Sequence, residues 1–255
     1  MQTEDAAALS APVMKLVRHE LKRRTLTVTA HQYLTPHMIR ITLSGDDLAD
    51  FPSLAPDDHI KIFVPAGEDA TAMRDYTPRS FTRETGQLVL DFAVHEAGPA
   101  TRWAINARPG DTLDIGGPRG SRIVTGDIPH WLLIGDETAL PAIGRRLEEA
   151  RETDRFTVFI TVPGREDEQT FNTPASVDLT WVHGPVNDPD RDALLMDSLF
   201  QADIPPGTFI WVAAEGSLTR EIRRYLLEDR HHSNLWVKAS GYWVRGEAEA
   251  SVKFD

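Results

Sequence analysis

The stretch "HWLLIGDETALPAIGRRLEEARE", residues 130–152, decides the fold. It opens on a continuous apolar run that closes with Gly135 and Asp136. Such a run suits a parallel strand covered on both faces. The period then changes, and Leu140, Ile143 and Leu147 fall on one side of a helix. A buried strand, a tight turn and an amphipathic helix are the first half of a βα unit. The same grammar repeats downstream. Strands are read in "RFTVFITV", "LTWVHG", "TFIWVAA" and "NLWVKAS", and helices in "DALLMDSLF" and "SLTREIRRYLLED". This alternation predicts an open parallel sheet over residues 127–255.

Upstream the pattern differs. "RRTLTVTAHQYL", "HMIRITLSG", "DHIKIFV", "GQLVLDFAV", "DTLDIGG" and "SRIVTG" are short β-runs bounded by Gly, Pro or Asp. A short helical stretch, "PATRWAINA", interrupts them. Antiparallel strands at this spacing suggest a barrel or sandwich over residues 16–126. Residues 1–15 read as a flexible lead. The junction "VTGDIPHW" marks the boundary between two domains.

The 255 residues carry a net charge of −12 and no cysteine. The acidic balance argues against nucleic acid and against an anionic membrane surface as partners. Without thiols there are no disulfides, no iron–sulfur ligation and no thiol catalysis. The start, "MQTEDAAALSAPVMKLVRHE", lacks the basic opening and apolar core of a signal peptide. No apolar window is long enough for a membrane span. A cytoplasmic location is expected. His231 and His232 lack a third ligand at metal spacing, so no metal site is expected.

One segment concentrates chemistry: "AMRDYTPRSF", residues 72–81. Read as a strand, it puts Arg74 and Tyr76 on one face, before Pro78 breaks the ladder. Two arginines, a phenol and a hydroxyl crowd one strand end. They suit a ligand that is both anionic and aromatic.

Together "RDYTPRSF", "DFAVHEAGPATRWA", "GGPRGS", "GDETALPAI", "AAEGS" and the terminal "GYWVRG" resemble the siderophore-interacting proteins. These are flavin-dependent ferric-siderophore reductases of the ferredoxin-reductase-like group. The resemblance runs from about residue 15 to residue 246. It implies a six-stranded Greek-key antiparallel barrel holding FAD, followed by a Rossmann-like domain that receives NADH or NADPH. The activity it implies is reduction of Fe(III) in a ferric siderophore to Fe(II). A ferredoxin is the alternative donor. The competing readings are a flavin oxidoreductase serving a ferredoxin or flavodoxin carrier, and a flavin-bearing siderophore binder without turnover.

The resemblance also assigns residues. Tyr76 packs on the flavin and Thr77 bonds a ring nitrogen. Arg74 and Arg79 pair with phosphate. Gly98, Pro99, Ala100 and Thr101 open a helix whose free amides suit the pyrophosphate. Asp91, Val94 and His95 run beside the adenylate portion. Gly135, Asp136, Glu137 and Thr138 form a nicotinamide-side turn that lacks the glycine fingerprint, and Asp136 also reads as a helix N-cap. Ala214, Glu215, Gly216 and Ser217 lie on the same sheet edge. Tyr242 and Trp243 cover the flavin face. Lys61, Arg119 and Arg245 form a basic substrate pocket, with Lys61 read as pointing inward. The loop "PGREDEQ" offers Arg165 beside carboxylates, which leaves NADH and NADPH both open. Electron transfer requires no acid or base, so none is assigned.

Overall fold

The computed structural model describes residues 10–67, 70–95, 98–186, 188–247 and 250–254. Its first half holds strands β1 (Val13–Arg18), β2 (Arg23–Thr35), β3 (Met38–Ser44), β4 (Ile60–Pro65), β5 (Thr71–Tyr76), β6 (Pro78–Thr82) and β7 (Gln87–Ala93). Helix α1 (Pro99–Asn106) and strands β8 (Thr112–Gly116) and β9 (Gly120–Thr125) complete it. Seven of these strands form one antiparallel sheet in the order β5-β4-β8-β2-β3-β7-β6. Only Thr77 separates the two edge strands, so the sheet must curl until its edges meet. Alternation fills the inside: Leu26, Ile41, Leu43, Ile60, Ile62, Leu90, Phe92 and Ile115 are buried together.

This departs from the expected six strands. The segment around Thr77 is two strands, because Pro78 cannot donate to the ladder that Tyr76 ends. β9 does not join the curled sheet. It pairs with β1 in a separate two-stranded ribbon, Val13 opposite Thr125 and Arg18 opposite Gly120. Residues 13–15, expected in the flexible lead, belong to β1. Almost every β1 side chain is exposed, so the strand has no buried alternation to betray it.

The second half holds β10 (His130–Gly135), α2 (Leu140–Glu148), β11 (Arg155–Val162), β12 (Ser176–His183) and α3 (Pro189–Phe200). β13 (Thr208–Glu215), α4 (Gly216–Arg224), β14 (Val237–Trp243) and β15 (Val252–Lys253) follow. The sheet order is β12-β11-β10-β13-β14-β15, parallel throughout except for β15. The order reverses between β10 and β13, the place where open α/β sheets bind ligands beyond their carboxyl ends. Ile143 and Leu147 of α2 pack on one face, and Leu195 of α3 with Leu218 and Ile222 of α4 on the other. Gly135 is needed for the turn into α2: a Cβ there would lie 2.6 Å from Cβ of Ala139.

Polar side chains fasten the two halves together. Arg145 of α2 donates to Ser53 Oγ at 2.6 Å and to the Pro78 carbonyl at 3.1 Å. Asp57 takes Lys238 of β14 at 2.5 Å and the Trp211 indole N–H at 3.2 Å. Asp167 accepts from both the backbone and the ring of His37, at 3.0 and 2.8 Å.

Candidate functional site

On the barrel side, Ala72, Arg74 and Tyr76 face the same way, opposite Val64, Ile62 and Ile60. The Tyr76 ring lies 4.3 Å from Phe92, which lies 5.7 Å from Trp103 of α1. Burial pushes the Tyr76 phenol well above its ordinary pKa, against the pull of the nearby Arg74. Arg74 donates to the Met73 carbonyl at 2.9 Å. The end of β5 therefore sits over α1, with a cation beside an aromatic wall.

Helix α1 starts at Gly98 in extended backbone with no side-chain cap, and Pro99 brings no amide hydrogen to its first turn. A Cβ on Gly98 would meet no described atom within 4 Å, so the described residues leave the approach to the helix start open. Uncapped amides and an open approach suit an anion. Thr101 is buried and turns inward, so it shapes this start from beneath. Val94 donates its N–H to His37, and His95 is exposed at the strand end.

Arg79 and Asp91 differ from expectation. Arg79 is buried, and its fork meets both oxygens of Glu148 on α2 at 2.6 and 2.7 Å. Its Nε lies 3.7 Å from Asp91, which is itself gripped at 2.7 Å through both oxygens by Arg40. Both side chains belong to an ion network, in which Arg79 reaches across the halves to Glu148. A guanidinium among carboxylates gains more from pairing than from waiting for a ligand.

The expected nicotinamide edge is mostly interior. Gly135, Asp136, Glu137, Ala214, Glu215 and Gly216 are buried, while Thr138 is half-buried and Ser217 exposed. Asp136 Oδ1 accepts from the Thr138 N–H at 2.9 Å and its hydroxyl at 2.5 Å. Asp136 Oδ2 accepts from the Glu215 N–H at 3.0 Å and the Trp243 indole at 2.8 Å. Glu215 caps α4, accepting from Ser217 and Leu218 with one oxygen and from the Arg245 N–H with the other. These carboxylates occupy the helix-start positions where a Rossmann domain would place pyrophosphate. Glu137 pairs with buried Arg191 of α3 at 3.0 Å, yet its Oε1 has no partner among the described residues. Burial and the neighbouring Asp136 carry its pKa up to about 7, with Arg191 opposing.

The two halves meet at Thr77. Thr77 is buried, and its side chain neighbours the phenol of Tyr242 at the end of β14. Burial, and then the carboxylates of Asp57, Asp136 and Asp58, raise that phenol's pKa well above its ordinary value. Tyr242 packs edge-on against Trp211 at 6.2 Å. Thr77, Tyr242, Trp243 and Asp136 thus form one continuous junction.

The basic residues are dispersed along the surface. Lys61 points out of the curled sheet, since Ile60 and Ile62 point in, and it pairs with Asp75 at 2.8 Å. The inward reading of Lys61 is therefore corrected by strand parity. Arg245 reaches Asp192 of α3 at 3.1 Å. Arg119 is exposed at the turn after β8 and has no ion pair among the described residues.

Sequence reading missed Arg145, Glu148, Asp57 and Lys238, which tie the halves. No local spacing marks them, because each finds its partner in the other half.

A curled antiparallel sheet joined to a parallel α/β sheet, meeting at an R-x-Y-T strand end, defines a ferredoxin-reductase-like flavoprotein architecture. The model of the siderophore-interacting protein family matches residues 128–246, and that of the siderophore-interacting FAD-binding domain matches 27–72 and 65–122. A siderophore utilization protein from T. fusca is 33% identical, with a TM-score of 0.85 over 93% of this chain and 98% of that one. The NADPH-dependent ferric-chelate reductase of Escherichia coli K12 is 29% identical over 250 residues, covering 89% of this chain and 95% of its own. A ferredoxin NADP+ reductase from Neisseria gonorrhoeae shares the fold, with a TM-score of 0.57 at 13% identity over 85% of this chain and 97% of that one. The chain belongs to the siderophore-interacting protein family.

Proposed function

We propose that this protein is an FAD-dependent ferric-siderophore reductase that takes electrons from NADPH and releases iron as Fe(II) in the cytoplasm. Family membership and the naming of the E. coli relative support the activity. The observation that carries it in this chain is the end of β5, where Arg74 and Tyr76 face the same way beside the uncapped start of α1. We read residues 16–126 as the FAD domain and 127–255 as the nucleotide domain, and the curled sheet as a variant of the six-stranded Greek-key barrel.

The residues fit the cofactor. Arg74 and the open, uncapped start of α1 at Gly98, Pro99 and Ala100 would hold the phosphates. Tyr76 and Thr77 would line the ring from the barrel, and Trp243 would cover it from the other half. FAD, when bound, accepts a hydride's electron pair and releases the electrons singly. One NADPH therefore serves two ferric chelates and leaves NADP+ and one proton. Thr138 and Ser217 are the surface that the nicotinamide nucleotide meets. Asp136 and Glu215 hold that edge in shape, and their negative charge favours a donor that binds weakly and leaves. Arg119, exposed and without an ion pair among the described residues of a chain of net charge −12, would draw an anionic ferric chelate.

Reconstitution tests the reading. Purified protein mixed with FAD should turn yellow with about one flavin per chain. NADPH should then support Fe(II) release from a ferric siderophore, followed with a ferrous chelator. Absence of flavin binding, or flavin binding without NADPH-dependent Fe(II), would remove it.

A further inference from the structure

Asp57, in the barrel half between β3 and β4, reaches two side chains of the parallel sheet with one oxygen. Its Oδ2 accepts from Lys238 Nζ at 2.5 Å and from the Trp211 indole N–H at 3.2 Å. Trp211 of β13 and Lys238 of β14 are register partners, so they stand side by side. The Trp211 ring meets the ring of Tyr242 edge-on, with centroids 6.2 Å apart and planes at 86°. Aromatic pairs prefer such an arrangement. Tyr242 depends on this contact. The register of β13 and β14 slips between Ala214 opposite Gly241 and Glu215 opposite Trp243, which leaves Tyr242 as the extra residue of a bulge. A bulge takes its residue out of the ladder, so the ladder does not set where that side chain points. Its neighbours are fixed: Gly241 pairs with Ala214 and Val252, and Trp243 pairs with Glu215 and bonds Asp136. A small void lined in part by Asp57, Leu133, Ile143 and Arg146 borders Trp211, so the indole has room to turn once its acceptor is lost.

We propose that Asp57 is a positioning residue: through Trp211 it sets the aim of Tyr242, and so the aromatic wall of the flavin site. Lys238 and Trp211 ask different things of it. The ammonium is best met by a charge, whereas the indole needs only an acceptor. Asp57→Asn keeps an acceptor for both, because a single oxygen serves them, and drops the charge. Asp57→Ala drops both. A residue that only ties the halves would be read in stability, which both variants lower by leaving a largely buried ammonium without its counter-charge. A positioning residue separates the two variants at Tyr242.

The flavin part of this inference rests on the reading of Tyr242 as part of the flavin face; the part measured without cofactor does not. In flavin-free protein, NMR follows the Trp211 indole N–H and the Tyr242 ring, assigned by their loss in Trp211→Phe and Tyr242→Phe. Both signals should shift in Asp57→Ala. Both should keep their wild-type positions in Asp57→Asn, although urea unfolding shows both variants destabilised. With FAD added, Asp57→Ala should show a shifted visible band and midpoint potential, and Asp57→Asn those of wild type. A Tyr242 signal unmoved in folded Asp57→Ala would overturn the proposal, as would equal shifts in the two variants. A wild-type band and potential in FAD-loaded Asp57→Ala would overturn its flavin part. If Asp57→Ala does not fold, the double variants Asp57→Ala with Lys238→Met and Asp57→Asn with Lys238→Met, which leave no unpaired ammonium, decide it by the same comparison. Failure of wild type to bind FAD would count against the functional reading alone, since the ring signals are read without it.

Discussion

The indole Nε1 of Trp243 donates to Asp136 Oδ2 at 2.8 Å, and the same oxygen accepts the backbone N–H of Glu215 at 3.0 Å. One buried carboxylate thereby ties the ends of β10, β13 and β14 into a single edge. An acidic residue at this turn is a clamp for the protein's own donors.

Replacing Asp136 with Asn should therefore cost about 2–4 kcal/mol of stability, because one carboxylate oxygen becomes a donor that faces other donors. Urea unfolding checks this. The tryptophan emission of the native state should shift as well, since Trp243 loses its acceptor. A stability within ~0.5 kcal/mol of wild type would mean the edge is held otherwise.

Glu137 gives a pH dependence of defined sign. Its folded pKa is raised to about 7, above the carboxylate range of an unfolded chain, so the folded state binds the extra proton between about pH 4.5 and 7. Its contribution is most favourable at low pH and is lost as pH rises through that window. The stability of wild type minus that of Glu137→Gln should fall by about 3 kcal/mol from pH 5 to pH 8. Chemical unfolding at several pH values measures it. A difference that is flat, or that rises with pH, contradicts the assignment.

Arg74→Ala should weaken FAD binding by ~10- to 100-fold, the value of a charge-assisted phosphate contact. The fold should persist, since Arg74 is only half-buried. Equilibrium titration with FAD against a circular-dichroism control separates the two effects. Full yellow occupancy after purification would place the phosphates elsewhere.

Arg119→Ala should raise KM for an anionic ferric catecholate more than for a neutral ferric hydroxamate, and added salt should narrow the gap. Lys61→Ala should do less, because Lys61 is already paired with Asp75 on the outer face. Steady-state rates for both chelates at two salt concentrations test the pair. Equal losses for neutral and anionic chelates would reject the charge argument.

The fold was legible where burial was strong. The apolar run into Gly135, and the helical stripe of Leu140, Ile143 and Leu147, located the α/β half. The ribbon of β1 and β9 was not legible, because its side chains are largely exposed and its pairing spans over a hundred residues. Lys61 could have been placed by parity, since its neighbours Ile60 and Ile62 are both core residues. Arg79 could not. A motif shows that an arginine stands two residues past Thr77, but only the packing shows Glu148 waiting on α2. The same holds for Asp136 and Glu215, whose donors come from three separate strand ends.

Electrons are proposed to pass from NADPH through FAD to a ferric chelate at the junction of the two halves. Anaerobic stopped-flow absorbance of FAD-loaded protein tests it most directly. NADPH should bleach the visible flavin band, and a ferric siderophore mixed in next should restore it with two Fe(II) released per flavin. A band that stays unbleached by NADPH, or that stays bleached when the ferric siderophore arrives, would contradict the claim.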